Sequence, residues 1–268
     1  MSGFSTQWLE LREPYDRAAR NPVVLSAIRA ALADRDAIAV VDLGCGTGST
    51  LRAISPLLPA RQNWLLLDRD EALLAAARIQ TKAANSAATI ATKTVDLADQ
   101  FELMLDGADL ITMSALLDLV SAAWLDRLIE AAAQRQLPIY AALSYDGQVT
   151  LAPTNPHDAA ALAAFNRHQR TDKGFGPALG PGAAEVAPER LRRMGFTVVE
   201  GSSDWHLGAA DHDIQMEMLT GFADAAGAMG MSASILGDWL AARRAHVAGG
   251  LSTIRVGHVD FFGVPACA

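Results

Sequence analysis

A glycine-rich segment with one acid at its start carries the strongest chemical signal in the 268-residue chain. Residues 40–50 read VVDLGCGTGST, so Asp42 precedes Gly44, Gly46 and Gly48 in a D-x-G-x-G-x-G pattern. Glycines let a backbone turn sharply and approach a ligand without a Cβ clash. A helix starting there directs free backbone N–H groups toward the ligand. These features predict a site for a dinucleotide or another adenosyl cofactor.

The spacing of the glycines separates these two cofactor classes. A dinucleotide fingerprint requires G-x-G-x-x-G, or alanine at its end, whereas that last position, counted from Gly44, is Ser49. The observed pattern resembles the first motif of the class I S-adenosylmethionine (SAM)-dependent methyltransferases. The resemblance implies a Rossmann-like α/β fold, SAM as the cosubstrate, and transfer of its methyl group to an acceptor.

The resemblance extends over residues 37–146 and implies further cofactor contacts. In the family, the acid that ends the second strand holds the ribose hydroxyls, and Asp68 ends the run NWLLLD. Asp96, with Leu97 beside it, matches the acid that hydrogen-bonds the adenine amino group. Ser114 lies where the fourth motif approaches the sulfonium. The alternative for Asp68 and Asp96 is that each caps a helix.

Residues before the first strand add two candidates. In many family members these residues fold over the cofactor, and Arg12 and Tyr15 are placed to bind its methionine carboxylate, which a guanidinium holds with two hydrogen bonds. The alternative for Arg12 is an ion pair with Glu10 or Asp16. The predicted cofactor-binding set is Arg12, Tyr15, Asp42, Gly44, Cys45, Gly46, Gly48, Asp68, Arg69, Asp96, Leu97 and Ser114.

Strands that alternate with helices must position these residues. The alternation predicts a Rossmann-like, seven-stranded, mostly parallel sheet with helices on both faces. Helices are expected over 8–33, interrupted near Pro14 and restarted at Asn21-Pro22, where asparagine is suited to an N-cap. A strand is expected over 138–145, and a final strand over 252–262. The predicted divisions are an N-terminal helical cap (1–36), a SAM-binding core (37–146), an insertion (147–183) and the C-terminal half of the core with extra helices and the final strand (184–268).

The insertion is rich in proline and glycine around one helical stretch, 158–168, and exceeds an ordinary connection. We expect residues 155–181 to form a lid over the acceptor side of the SAM pocket. Polar residues concentrated on such a loop favour substrate recognition, and two cations among them favour an acceptor with an anionic group. The predicted substrate-binding residues are Asn166, His168, Arg170 and Lys173.

A hydroxyl or amine acceptor needs a general base, whereas a carboxylate or thiolate does not. His168 is the first candidate by residue type, followed by Asp118 and Tyr145 near the ends of the fourth and fifth strands. His258 is expected to be structural. No metal site is expected, because His206 and His212, with Asp211 or Asp213, have a spacing that fits no recognised site.

Composition narrows the class of protein. The net charge of −8, from 30 acidic and 22 basic residues, argues against a nucleic-acid substrate. The two cysteines, Cys45 and Cys267, suggest no disulfide framework. The absence of a signal peptide pattern and of a membrane-spanning run predicts a cytoplasmic enzyme acting on a small molecule. Open alternatives are a SAM-fold enzyme with different chemistry, such as an aminopropyl transferase, a nicotinamide-dependent oxidoreductase, and a non-catalytic SAM-binding protein.

Overall fold

The computed structural model describes residues 4–84 and 88–266. The helices are α1 (Thr6–Ala19), α2 (Pro22–Leu32), α3 (Ser49–Ile54), α4 (Glu71–Ala84), α5 (Ala122–Gln134), α6 (Asp158–Gln169), α7 (Ala183–Arg193), α8 (His212–Ala228) and α9 (Ala233–Ala248). The strands are β1 (Ala37–Leu43), β2 (Arg61–Asp68), β3 (Ala88–Thr94), β4 (Leu110–Ser114), β5 (Ile139–Ala152), β6 (Phe196–Ser202), β7 (Trp205–Leu207) and β8 (Thr253–Pro265).

One sheet organises the described chain. Its strand order is β3-β2-β1-β4-β5-β8-β6, with β7 paired to β8. Strands β1 to β5 run parallel, and β8 runs antiparallel to β5, β6 and β7. The predicted Rossmann-like α/β fold is confirmed. The short strand β7 was not predicted, since three residues are too few to show a periodic pattern.

The register of the parallel strands collects the motif residues at one edge. Leu43 lies opposite both Leu67 of β2 and Met113 of β4. The residues that follow these three are Gly44, Asp68 and Ser114, so all three meet at the carboxyl edge, where open α/β sheets bind ligands.

Three buried clusters hold the helices against the sheet. One face packs on α5 and α7 through residues such as Leu128 and Leu191. The other face packs on α2, α3 and α4 through residues such as Ile28 and Leu74. A third cluster joins α6, α8 and α9 to β7 and β8, with α1 packed at its side. This third cluster is the cap above the carboxyl edge.

Two element boundaries differ from the sequence-based expectation. Helix α1 continues through Pro14 without the expected interruption, whereas the predicted restart is confirmed, with the Asn21 side chain capping α2. Packing of α1 against the third cluster outweighs the local cost of proline. Strand β5 runs on to Ala152 because its second half pairs with β8, so residues 147–152 belong to the sheet and not to the insertion. Cys267 lies outside the described residues.

Candidate active site

The first cavity lies at the carboxyl edge, between the glycine segment and α1. Gly44 and Gly46 line it, with φ values of 65° and 54° that favour glycine. A Cβ on Gly46 would lie 3.1 Å from Cδ1 of Leu9 in α1. The helix therefore crosses the loop at a distance that only glycine permits without displacement.

Asp68 combines two backbone contacts with access to this cavity. Its Oδ2 accepts a hydrogen bond from the Gly46 N–H at 2.9 Å, and its Oδ1 accepts one from the Asp70 N–H at 3.0 Å. A carboxylate has about four acceptor positions, so the side chain retains capacity for two hydroxyl donors. Arg69 lines the cavity beside it.

The predicted adenine side is formed by the ends of β3 and β4. Asp96, Leu97 and Ser114 all line the cavity. Asp96 is exposed, and its Oδ1 accepts from the Ala98 N–H at 3.0 Å. Leu97 is buried, and its carbonyl accepts from Nε1 of Trp124 at 2.6 Å. The arrangement offers one accessible carboxylate beside an apolar side chain.

Arg12 forms the ion pair with Asp16 that was the alternative to cofactor binding, and it also lies at the first cavity. It pairs with Asp16, with Nε–Oδ2 at 2.9 Å and Nη2–Oδ1 at 3.1 Å, and it also lines the first cavity. Its guanidinium lies 4.9 Å from the ring centroid of Trp205. Asp16 and Phe4 line the cavity too, and neither carries a motif signal that sequence analysis could use.

Three predicted cofactor residues lie outside both cavity linings described here. Asp42 is fully buried, and its Oδ1 accepts from the Thr112 hydroxyl at 2.7 Å. A Cβ on Gly48 would lie 2.6 Å from Cγ2 of Thr81, so this glycine serves packing against α4. The Tyr15 hydroxyl donates to Oδ1 of Asp211 at 2.9 Å and fastens α1 to the start of α8. These three residues stabilise the elements around the first cavity and do not line it.

The residues of the first cavity fit SAM. The glycine segment, with Cys45 in its lining, supplies a close backbone approach, and Asp68 supplies a carboxylate with free acceptor capacity. Asp96 and Leu97 are suited to an adenine ring, and Arg12 is suited to a carboxylate, although Asp16 already occupies part of its hydrogen-bonding capacity.

A second cavity of about 580 Å³ adjoins the first. Its walls are mainly apolar and aromatic, as is usual for a small-molecule site. They are formed chiefly by Trp8, Leu143, Phe165, Trp205, Met218, Phe222 and Val256. The residues shared by the two linings are Phe4, Arg12, Ala115, Leu119 and Lys173.

Two non-glycine residues with positive φ line this second cavity. Ala115, after β4, has a φ of 50°, and Leu143, in β5, has a φ of 55°. The Leu143 N–H donates to Oδ1 of Asp260 at 2.8 Å, where the pairing of β5 with β8 shifts register. Such backbone conformations are costly and concentrate at functional sites.

Asp118 is a buried carboxylate in the lining of the second cavity. Its Oδ1 has no hydrogen-bond partner among the described residues. Burial raises the pKa of Asp118 to about 6, and the charges of Arg12 and Lys173 oppose that rise. The carboxylate can therefore take up a proton in the neutral pH range.

The insertion supplies two neighbouring polar residues to the site. His168, in the last turn of α6, and Lys173, in the loop after it, line the second cavity, and their Nδ1 and Nζ atoms lie 3.4 Å apart. Lys173 also lines the first cavity, as does Phe175. Burial and the Lys173 charge lower the pKa of His168, which favours its neutral form.

Two predicted substrate residues do not line either cavity. Oδ1 of Asn166 accepts from the Tyr145 hydroxyl at 2.8 Å, and its Nδ2 donates to the Gly147 carbonyl at 2.9 Å. Nη1 of Arg170 donates to the Asn166 carbonyl at 3.2 Å. Tyr145 itself lines the second cavity, and burial raises the pKa of its phenol. Asn166 thus holds Tyr145 in place.

Helix α6 is anchored at its first turn. Oδ1 of Asp158 accepts from Nε1 of Trp239 at 2.8 Å and from Nε of Arg243 at 3.0 Å. Arg243 is 1% exposed, so the ion pair lies within the cap. The anchor fixes the helix that carries His168.

The remaining histidines divide into two groups. His206 and His212 are exposed, and His212 lies beside Asp213. The described residues contain no group of three side chains suited to a metal ion. His258 is buried and lines the second cavity. Its alternation within β8 indicated burial but gave no sign of what its ring would face.

Comparison with known proteins agrees with the fold. Residues 41–136 match the family model described as a methyltransferase domain. This segment is therefore a methyltransferase domain, and the resemblance to class I SAM-dependent methyltransferases is confirmed over it. The matched segment holds the glycine-rich loop, Asp68 and Ser114, which line the first cavity. No curated protein matches the sequence.

Solved structures extend the likeness of fold beyond that segment. A cyclopropane-fatty-acyl-phospholipid synthase-like protein from Lactobacillus casei is 14% identical, with a TM-score of 0.55, over 98% of this chain and 94% of the other. A provisionally assigned methyltransferase from Bacillus halodurans is 13% identical, with a TM-score of 0.51, over 90% and 99%. At these identities the likeness establishes the fold. No helix in the described part of the chain has the length and apolar character needed to cross a membrane.

Proposed function

We propose that the chain transfers the methyl group of SAM to a small-molecule acceptor held in the second cavity. The observation that carries the proposal is the shared boundary between the cavities, formed by residues such as Arg12, Ala115 and Lys173. A methyl group presented across that boundary faces a cavity with mainly apolar and aromatic walls.

The cofactor supplies an electrophilic methyl group on a sulfonium, and the protein positions the acceptor. Both cavities are lined by Ala115 and Leu119, which follow β4, and by Phe4 and Arg12, which lie before and within α1. The acceptor is thus confined between the sheet edge and the cap.

We assign the role of proton acceptor to Asp118. It is buried, one of its oxygens has no protein partner, and its pKa is raised toward neutrality. His168 is half-buried and its Nδ1 faces Lys173. The Tyr145 hydroxyl is engaged as a donor to Asn166. His168 therefore positions Lys173, and Tyr145 forms part of the wall.

Lys173 favours an acceptor that carries, or develops, negative charge. Its Nζ lies 3.0 Å from the Thr171 hydroxyl and forms no ion pair among the described residues. Burial lowers the pKa of Lys173 while the charge of Asp118 opposes that shift. An anionic group near Nζ compensates the desolvation of the ammonium.

The test begins with ligand binding and product formation. Melting temperature should rise with SAM and with S-adenosylhomocysteine, and not with NAD or decarboxylated SAM, because only a ligand of the folded state stabilises it. Incubation of the protein with methyl-labelled SAM and a metabolite extract should yield a labelled small molecule. Stabilisation by SAM without any labelled product would indicate a non-catalytic binding protein.

A matched pair of variants tests the acceptor contact. Lys173→Met should raise the KM for the acceptor that receives the label. Arg170→Met, which removes a cation that lines neither cavity, should leave this KM unchanged. Equal effects of the two substitutions would remove Lys173 from acceptor binding.

A further inference from the structure

Three polar side-chain atoms around the second cavity are buried without a hydrogen-bond partner among the described residues. They are Oδ1 of Asp118, Nε1 of Trp205 and Nδ1 of His258. The three residues are 7%, 4% and 6% exposed, and all of them line the cavity. Buried polar groups in folded proteins are almost always hydrogen-bonded. Three residues that border the cavity thus carry polar atoms that no described protein group satisfies.

His258 is held in place by aromatic rings and is kept neutral. Its ring centroid lies 5.4 Å from that of Trp205 and 6.1 Å from that of Tyr145. Burial, assisted by the charge of Arg12, lowers the pKa of His258 to about 3. A neutral imidazole offers one donor and one acceptor nitrogen, so the residue is suited to a polar neutral group.

Aromatic rings line the same chamber in contact with one another. Phe165 packs edge-on against Tyr145, with centroids 5.7 Å apart, and against Phe222, with centroids 4.7 Å apart. Trp8 and Trp205 lie 6.4 Å apart on the side of α1. Rings in this arrangement present both faces and edges, which favours a planar aromatic guest.

We propose that the acceptor is an aromatic compound with a ring hydroxyl, recognised by Trp205 and His258 and methylated at the hydroxyl oxygen. This inference rests on the proposed function, since it names the acceptor class for the same cavity. Asp118 lies in the lining together with these two residues, which places a proton acceptor and two recognition groups around one guest.

Methyl transfer to a ring hydroxyl needs no chemical group other than SAM, the acceptor and the side chains described above. The hydroxyl oxygen forms the new bond to the methyl carbon, the carbon–sulfur bond breaks with its electron pair to sulfur, and the sulfonium charge is lost. The hydroxyl proton passes to the carboxylate of Asp118. A phenol, with a pKa of about 10, yields its proton far more readily than an alkyl alcohol, and Lys173 stabilises the charge that develops on oxygen.

Calorimetry on the full chain saturated with S-adenosylhomocysteine tests the acceptor class, with 2-naphthol and its saturated counterpart 2-decalol as probes. We expect 2-naphthol to bind about three- to tenfold more tightly than 2-decalol, from aromatic packing. With labelled SAM, 2-naphthol should give the methyl ether. Equal affinities, or no binding of 2-naphthol, would overturn the inference.

Substitutions of His258 and Trp205 test whether these two residues recognise the acceptor. His258→Phe keeps an aromatic ring and removes both nitrogens, and it should weaken 2-naphthol binding about three- to tenfold while S-adenosylhomocysteine affinity stays unchanged. Trp205→Phe, which removes the indole N–H, should act in the same direction and serves if His258→Phe fails to fold. His206→Phe, at an exposed position of β7, is the control. If His258→Phe and Trp205→Phe fold and bind 2-naphthol with unchanged affinity, the proposal is contradicted.

Two results distinguish a wrong acceptor class from the absence of methyl transfer. Methylation of 2-decalol or of a non-aromatic metabolite, without methylation of 2-naphthol, overturns the aromatic acceptor and leaves methyl transfer intact. Binding of SAM with no methyl transfer to either probe or to any metabolite in the extract overturns the proposed function itself.

Discussion

The backbone N–H of Gly46 donates a hydrogen bond of 2.9 Å to Oδ2 of Asp68. This contact joins the loop after β1 to the last residue of β2. The acid that the family motif assigns to the ribose therefore also organises the glycine segment. We therefore expect cofactor affinity and the local fold of the loop to depend on the same carboxylate.

Asp68→Ala should weaken SAM binding about ten- to hundredfold, because a charge-assisted contact is worth ~1.5–3 kcal/mol. The melting temperature of the ligand-free protein should fall as well, since Gly46 loses its acceptor. Calorimetry and thermal unfolding measure the two effects. Asp36→Ala, at a side chain that is 96% exposed, is the control. SAM affinity within twofold of the unsubstituted protein would exclude Asp68 as a ribose ligand.

The rate of methyl transfer to a hydroxyl acceptor should increase with pH through about 6, where Asp118 loses its proton, and then level off. Asp118→Asn should lower the rate about a hundredfold or more. A pH profile of kcat/KM measures this step. A profile that is flat across this range in the unsubstituted protein would show that another group takes up the proton.

Asp118 should also make stability depend on pH. Its folded pKa of about 6 lies above its ordinary value of 3.8, so the folded state binds the proton more tightly than the unfolded chain does. Its stabilising contribution is complete below about pH 4 and is lost as the pH rises through about 6. The free energy of unfolding of Asp118→Asn, relative to that of the unsubstituted protein, should therefore increase by about 2–3 kcal/mol between about pH 4 and pH 8. Urea unfolding at the two pH values measures this difference. Asp36→Asn should show no such gain.

Arg20→Met should destabilise the fold by about 3–5 kcal/mol, because it leaves buried carboxylates without a cation. Arg20 is 5% exposed, its Nη1 donates to the Tyr140 hydroxyl at 2.8 Å, and its charge acts on both Asp42 and Asp260. Arg61→Met, at a side chain that is 74% exposed, is the comparison. Similar urea midpoints for the two variants would contradict this prediction.

His168→Ala should leave SAM affinity within about twofold and reduce kcat/KM for the acceptor, because His168 lines the second cavity and not the first. Its effect should be partial, since Lys173 and Asp118 remain. His157→Ala, in the same segment but outside both linings, is the control. A loss of SAM affinity as large as the loss of turnover would place His168 at the cofactor instead.

The features of this protein that could be predicted from its sequence are those encoded within a few neighbouring residues. The glycine spacing of residues 42–48, the apolar run of β1 and the acid at the end of β2 are each contained within a few positions. Parallel strands deliver their ends to one edge, so Gly44, Asp68 and Ser114 could be placed together without coordinates. The helix at 158–168 was likewise predicted by a continuous local pattern.

Only the tertiary structure decided which side chains face the cavities. One segment of five positions contains Asn166, His168 and Arg170. Because α6 packs against α8 within the cap, only His168 of these three lines the second cavity. His258, more than a hundred positions from Asp118 along the chain, meets the same chamber through the pairing of β8 with β5. The sequence by itself determined the fold and the cofactor edge, because burial periodicity and glycine conformation act over a few residues. The acceptor chamber depends on the rotation of helices and on strand register, which are set by contacts between residues distant in sequence.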